Sequence, residues 1–79
     1  MTESEETLDL RGVPCPANAA RALMALEGCE AGDLLRLLLD DGEPIENVPP
    51  SLEEQGHAVV GKSWRGGAWE LSVRAGGPS

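Results

Sequence analysis

The chain contains no phenylalanine and no tyrosine, and its large aromatic rings are limited to two tryptophans, Trp64 and Trp69. An aromatic-rich core is thereby excluded, so the interior must rest on Leu, Val, Ala and Ile. Basic residues are also scarce. Six Lys and Arg stand against fourteen Asp and Glu, a net charge of −8 at neutral pH. Such a surface repels a phosphate backbone, and no Lys/Arg cluster offsets it, which argues against direct nucleic-acid binding. A basic protein partner suits it better, although solubility alone is the simpler account of the acidity. With one histidine and two cysteines separated by thirteen residues, no zinc-ligand spacing is present and no metal site is expected. The longest apolar stretch, LLRLLL, is broken by Arg36 and falls far short of a membrane span. The N-terminal MTESEET lacks the basic and apolar regions of a secretory signal. A reduced, cytoplasmic, metal-free protein with no membrane contact is the expectation.

At 79 residues the chain has room for one domain of two layers around a single core. Residues 1–6 read as a disordered acidic tail and 76–79 as a second one, leaving 7–75 as the single domain. Thr7 to Leu10 alternates, with Leu8 and Leu10 on one face of a first strand. Ala17 to Glu27 is rich in alanine and leucine and reads as a helix with Ala19, Ala20, Leu23 and Leu26 inward, stopped at Gly28. Leu34 to Leu39 is a nearly continuous leucine run, as a covered strand requires. The next segment contains Pro44, Pro49 and Pro50. It predicts a turn at Asp41-Gly42, a short helical turn, and a separate helix from Pro50 to Gln55 closed by Gly56.

His57 to Trp64 and Ala68 to Arg74 pair as a hairpin about Gly66-Gly67, whose residues tolerate the positive φ of a two-residue turn. That register sets Trp64 against Trp69, Lys62 against Leu71 and Val60 against Val73. The tryptophans then form a cross-strand staple; no further aromatic is present to build a ligand cage. The order βαβαββ, with right-handed crossovers, predicts a two-layer α/β sandwich: a four-stranded mixed sheet with both helices on one face.

Residues 56–63, GHAVVGKS, satisfy the phosphate-loop pattern G-x-x-x-x-G-K-[ST]. The mechanism of that loop needs a helix directly after it, so that helix-end N–H groups face the phosphate. Here the pattern runs through Ala58-Val59-Val60 into a hairpin, and a chance match is the better reading.

The stretch DLRGVPCPANAARALMAL sets Cys15 between two prolines where a strand ends and a helix begins. With Cys15 as N-cap and Pro16 as the first helical residue, the N–H groups of Ala17 and Asn18 point toward the thiol. The helix dipole and the unpaired N–H groups there favour a thiolate. Arg11 and Arg21 add positive charge if their side chains turn inward. The alternative is a small buried cysteine with no chemistry. No histidine or acid completes a Cys-His arrangement, so sulfur or disulfide exchange is the chemistry such a thiol suits. Cys29 is a poor resolving partner. The intervening helix holds the two cysteines about 20 Å apart at its usual rise, whereas a disulfide needs Cα atoms within about 7 Å.

The segment LDLRGVPCPAN resembles the signature of the TusA-like sulfur carriers, also called the SirA-like family: Leu-Asp-x-Arg-Gly-x-x-Cys-Pro-x-Pro. Asp40-Asp41, Pro49 and Gly56-His57 also fall where the family has them, and the resemblance covers nearly the whole chain. It implies the βαβαββ sandwich shared with the C-terminal domain of bacterial translation initiation factor three. It implies a sulfurtransferase role in which Cys15 accepts sulfane sulfur as a persulfide and passes it on, while Pro16 and the Arg11-Gly12 turn shape the loop. The implied partners are a cysteine desulfurase or rhodanese as donor and a relay protein as acceptor, leading to tRNA thiolation, molybdenum-cofactor synthesis or sulfur oxidation. No resident cofactor is implied, only the transient sulfur, and the carrier is expected to be monomeric. The signature's second proline is Asn18 here, whose N–H is one more potential donor to the thiolate. A non-catalytic interaction domain of the same fold, or a thiol redox sensor, are the other readings.

Overall fold

The leucine run becomes a central strand because a sheet covered on one face buries every second side chain: Leu35, Leu37 and Leu39 are buried, while Leu34, Arg36 and Leu38 are half-buried on the other face. The computed structural model describes residues 6–76. The expected disorder of residues 1–5 and 77–79 lies outside the described residues. Glu6, assigned to the tail above, instead opens the first strand.

The elements run β1 (Glu6–Asp9), α1 (Ala17–Glu27), β2 (Leu34–Leu39), α2 (Glu43–Glu54), β3 (Ala58–Arg65) and β4 (Ala68–Arg74). The sheet order is β1-β2-β4-β3, with β1 parallel to β2 and the other pairs antiparallel. Both helices cover the face that carries the odd-numbered leucines of β2. Ala22 and Leu26 of α1, and Ile45, Val48 and Leu52 of α2, meet Leu35, Leu37, Leu39, Leu71 and Val73 in one core. This is the α/β sandwich expected from the order of elements.

Three local expectations are corrected. First, α2 is one helix through Pro49 and Pro50. Those prolines remove two helical N–H donors, but Ile45, Val48 and Leu52 lie along one buried stripe, and their burial holds both halves to the sheet. Gly56, with φ 95°, ends the helix in a Schellman arrangement: Gly56 N–H donates to Glu53 O and His57 N–H to Leu52 O. Second, α1 is rotated. Asn18, Ala22 and Leu26 are buried, Ala19 and Leu23 pack half-buried against the core as expected, and only Ala20 of the expected face is exposed. Third, a bulge between Val59 and Gly61 pairs Val59, not Val60, with Val73, so Val60 is turned out to half exposure.

The remaining hairpin register is as expected. Trp64 faces Trp69 and Lys62 faces Leu71 around Gly66-Gly67, with φ of 57° and 97°. Lys62 and Ser63 of the phosphate-loop match therefore sit within a strand, and the chain turns back into β4 instead of entering a helix.

Beyond β4 the chain is stitched down by Ala75 N–H to Asp33 O, Gly32 N–H to Ala75 O, and Gly76 N–H to His57 Nδ1. A Cβ at Gly76 would run into the carbonyl oxygen of Gly56, a backbone atom that cannot step aside. Gly76→Ala is expected to destabilise the fold by about 1–3 kcal/mol. An unchanged urea midpoint would show that this clasp is not closed in solution.

Candidate functional site at the Cys15 loop

The site is built from the end of β1. Leu10 N–H donates to Leu38 O, carrying the strand pairing one residue past β1, and Val13 N–H returns to Leu10 O to close a turn. Gly12 takes a φ of 79°, which is why this turn carries glycine at its third position. Its N–H donates to Asp40 Oδ2 at 2.7 Å, pinning the loop to the end of β2. Val13, Pro14 and Cys15 follow, and the Cys15–Pro16 peptide bond is cis.

The structure moves the helix start by one residue. Pro16, not Cys15, occupies the N-cap, and no side chain caps α1. Ala17, exposed, is the first helical residue. Asn18 N–H donates to Pro14 O at 3.1 Å and Ala20 N–H to Pro16 O at 3.1 Å. The expectation that Asn18 offers its N–H to the thiolate is therefore wrong, because the carbonyl of Pro14 already occupies it. The Asn18 side chain turns inward and is fully buried. Its Oδ1 accepts from Ala19 N–H, while its Nδ2 is buried without a hydrogen-bond partner. Sequence reasoning placed Asn18 in the loop chemistry and missed its burial; the only signal was its spacing of four and eight from Ala22 and Leu26.

Arg11 does not reach toward Cys15 either. Its guanidinium grips Asp9 through Nε to Oδ1 at 2.9 Å and Nη2 to Oδ2 at 2.7 Å, and its backbone N–H also donates to Oδ1. The Arg11 side-chain hydrogen bonds, with the backbone one second, lower the Asp9 carboxyl from 3.8 to about 2. The same pairing raises the Arg11 guanidinium. A carboxyl lowered on folding adds stability above its unfolded pKa, and that stability is lost as pH falls through the folded value. The clasp is thus intact at neutral pH and opens on acidification toward pH 2. In Arg11→Ala, a carboxyl-carbon NMR titration should find Asp9 raised from about 2 toward 3.8 but short of it, because the backbone N–H of residue 11 is retained; a curve still centred near 2 would assign the shift to another group. Arg21 is exposed on α1.

Cys15 is exposed, and its thiol is free. It borders an open cleft of about 470 Å³ shared with Gly12, Asp40, Asp41, Glu43 and Pro44. The rim is acidic, not basic as Arg11 and Arg21 had suggested. The two aspartates divide their work: Asp40 holds the loop, and Asp41 Oδ1 accepts from Trp69 Nε1 at 3.0 Å. Trp69 meets Trp64 edge to face, with centroids 5.2 Å apart and planes at 68°. The indoles thus anchor the β2–α2 turn that carries Asp40. The sequence shows the acidic pair but carries no signal for this division.

A family profile described as "Sulfurtransferase TusA" matches residues 6–75, nearly every described residue and the whole Cys15 loop. The chain belongs to the TusA family. Similar proteins include a "Putative sulfur carrier protein" of Archaeoglobus fulgidus, 36% identical over 58 residues, 73% of this chain and 66% of that protein. Another protein so described, from Neisseria meningitidis serogroup A, is 32% identical over 71 residues, 90% of this chain and 96% of its own length. The crystal structure of a SirA-like protein from Desulfitobacterium hafniense superposes with a TM-score of 0.75 at 30% identity, covering 90% of this chain and 97% of that one.

In this TusA-family chain the second cysteine stands apart from the motif. Cys29 lies past the opposite end of α1, is half-buried, and its Sγ donates to Ala25 O at 3.4 Å. It lines a separate cleft of about 560 Å³ with Leu23, Glu30, His57 and Gly76. That cleft is the larger of the two, but it holds no part of the family motif. The two cysteines are not bonded to each other.

Proposed function

We propose that this protein carries sulfane sulfur as a persulfide on Cys15 and passes it between protein partners in the cytoplasm, where a reducing environment keeps such a thiol available. The observation that supports this most is the exposure of the motif cysteine on a loop pinned by Gly12 to Asp40. In loading, the Cys15 thiolate attacks the outer sulfur of a donor persulfide. A new S–S bond forms on Cys15, the donor's S–S bond breaks, and its electron pair leaves with the donor thiolate. Delivery is the same step in reverse sense, with an acceptor thiolate attacking the outer sulfur and Cys15 leaving. No oxidant is consumed in either step. A cysteine desulfurase or a rhodanese is the proposed class of donor, and a relay protein the acceptor.

Incubation with a sulfane-sulfur donor, followed by intact mass, tests the proposal. One added sulfur atom that reductant removes is the expected result. No adduct from either a protein donor or inorganic polysulfide would instead assign the fold to protein interaction without chemistry.

A further inference from the structure

β3 is an edge strand of the sheet, and between it and α2 runs an open groove of about 520 Å³. Its apolar surface comes from Pro49, Pro50, Val59 and Val60 over the buried Ile45 and Leu71, and the exposed side chains of Glu46 and Glu53 flank it. Three features make this more than a seam between two elements. The bulge at Val60 turns an apolar side chain out to 50% exposure, where an isolated edge strand is usually protected by a charge. Pro49 and Pro50 also line the groove, and their rings add rigid apolar surface to its α2 wall. The cation of the groove, Lys62, lies over the Trp69 ring at 5.0 Å from its centroid. Apolar contact and two carboxylates are therefore presented together.

We infer that this groove receives a segment of the protein partner that exchanges sulfur with Cys15, through an apolar side chain flanked by Lys or Arg. The apolar group would pack on Val59, Val60 and Pro49, and its cationic neighbours would meet Glu46 and Glu53. Charge complementarity selects this occupant over a second copy of the chain, because two copies each at −8 repel. Position links it to the thiol, since Pro44 borders the Cys15 cleft and Ile45 and Glu46 border the groove. A partner lying along the first turns of α2 therefore spans both. Naming the sulfur partner as the occupant rests on the sulfur-carrier reading; the groove's preference for a cationic, apolar segment does not.

The probe is an acetylated, amidated heptapeptide with a central Leu between two Lys, titrated into the ¹⁵N-labelled full chain to about 1 mM, the range of a weak single-anchor contact. Amide shifts are expected along α2 and β3 around the groove. They should be absent with a Glu-flanked peptide and fall by about tenfold in affinity in Glu46→Gln/Glu53→Gln, both exposed positions. No shifts, shifts elsewhere, or equal binding of the Glu-flanked peptide would overturn the inference. Loading of Cys15 by polysulfide is read by mass on the same samples. A loaded Cys15 with an unresponsive groove removes the docking site alone. A responsive groove with an unloadable Cys15 leaves the groove as a binding surface and removes the sulfur partner as its occupant.

Discussion

Cys15→Ser is expected to abolish the gain of one sulfur atom completely, and Cys29→Ser to leave it intact. Serine matches the thiol in shape, but its hydroxyl is far less acidic than a thiol and a much poorer attacking group toward sulfur near neutral pH. Cys15 is exposed, so the substitution should leave the unfolding midpoint within about 0.5 kcal/mol of wild type and isolate the chemistry from the fold. Cys29 offers a demanding control. It is half-buried, its S–H is engaged with the Ala25 carbonyl, and it sits beyond the far end of α1. Peptide mapping after loading should place the added sulfur on the Asp9–Arg21 segment. An adduct that survives in Cys15→Ser, or maps to Cys29, would remove Cys15 from its assigned role.

The largest expected effect on stability is at Leu37. It is fully buried in the middle of β2, opposite Leu8 of β1 and Leu71 of β4. Leu37→Ala leaves a cavity where strands on both sides hold the backbone in place, so the site cannot collapse around it. A loss of about 2–5 kcal/mol is expected, against a total of roughly 5–15 kcal/mol for a typical domain. Asn18→Ala is the informative contrast. Asn18 is equally buried, yet its Nδ2 has no partner, so truncation relieves a desolvated donor while giving up the contact with Ala19 N–H. The opposing effects should leave a net change within about 1 kcal/mol. Urea unfolding of both variants checks the pair, and equal losses would mean that the Asn18 amide finds a partner in solution.

The fold was legible where one physical signal dominated. The leucine run announced a covered strand, Gly66-Gly67 announced a hairpin, and the context of the Gly-Lys-Ser match argued against a phosphate loop. Where local and tertiary preferences compete, the sequence was a poorer guide. Pro49 and Pro50 suggested a break in α2, and only the shared burial of Ile45, Val48 and Leu52 overrides it. A polar residue on the inward face of α1 disguised that helix's rotation. The bulge at Val60 left no mark, because Val59 and Val60 are the same residue type and either could face inward. At the site, the cysteine was found from its prolines and its motif. Its electrostatic surroundings were not, because charge alone does not say that Arg11 prefers Asp9 two residues away, or that a one-residue shift in helix start gives Asn18 N–H to Pro14.

The contact between Trp69 and Asp41 has an optical consequence. With tyrosine absent, the chain's intrinsic ultraviolet emission belongs to two indoles. One of them is hydrogen-bonded to the residue next to Asp40, the anchor of the cysteine loop. Whatever displaces that turn also alters the polarity and quenching around a fluorophore already present. The protein therefore carries an unlabelled reporter, read in an ordinary fluorimeter, for events at its own sulfur-bearing end.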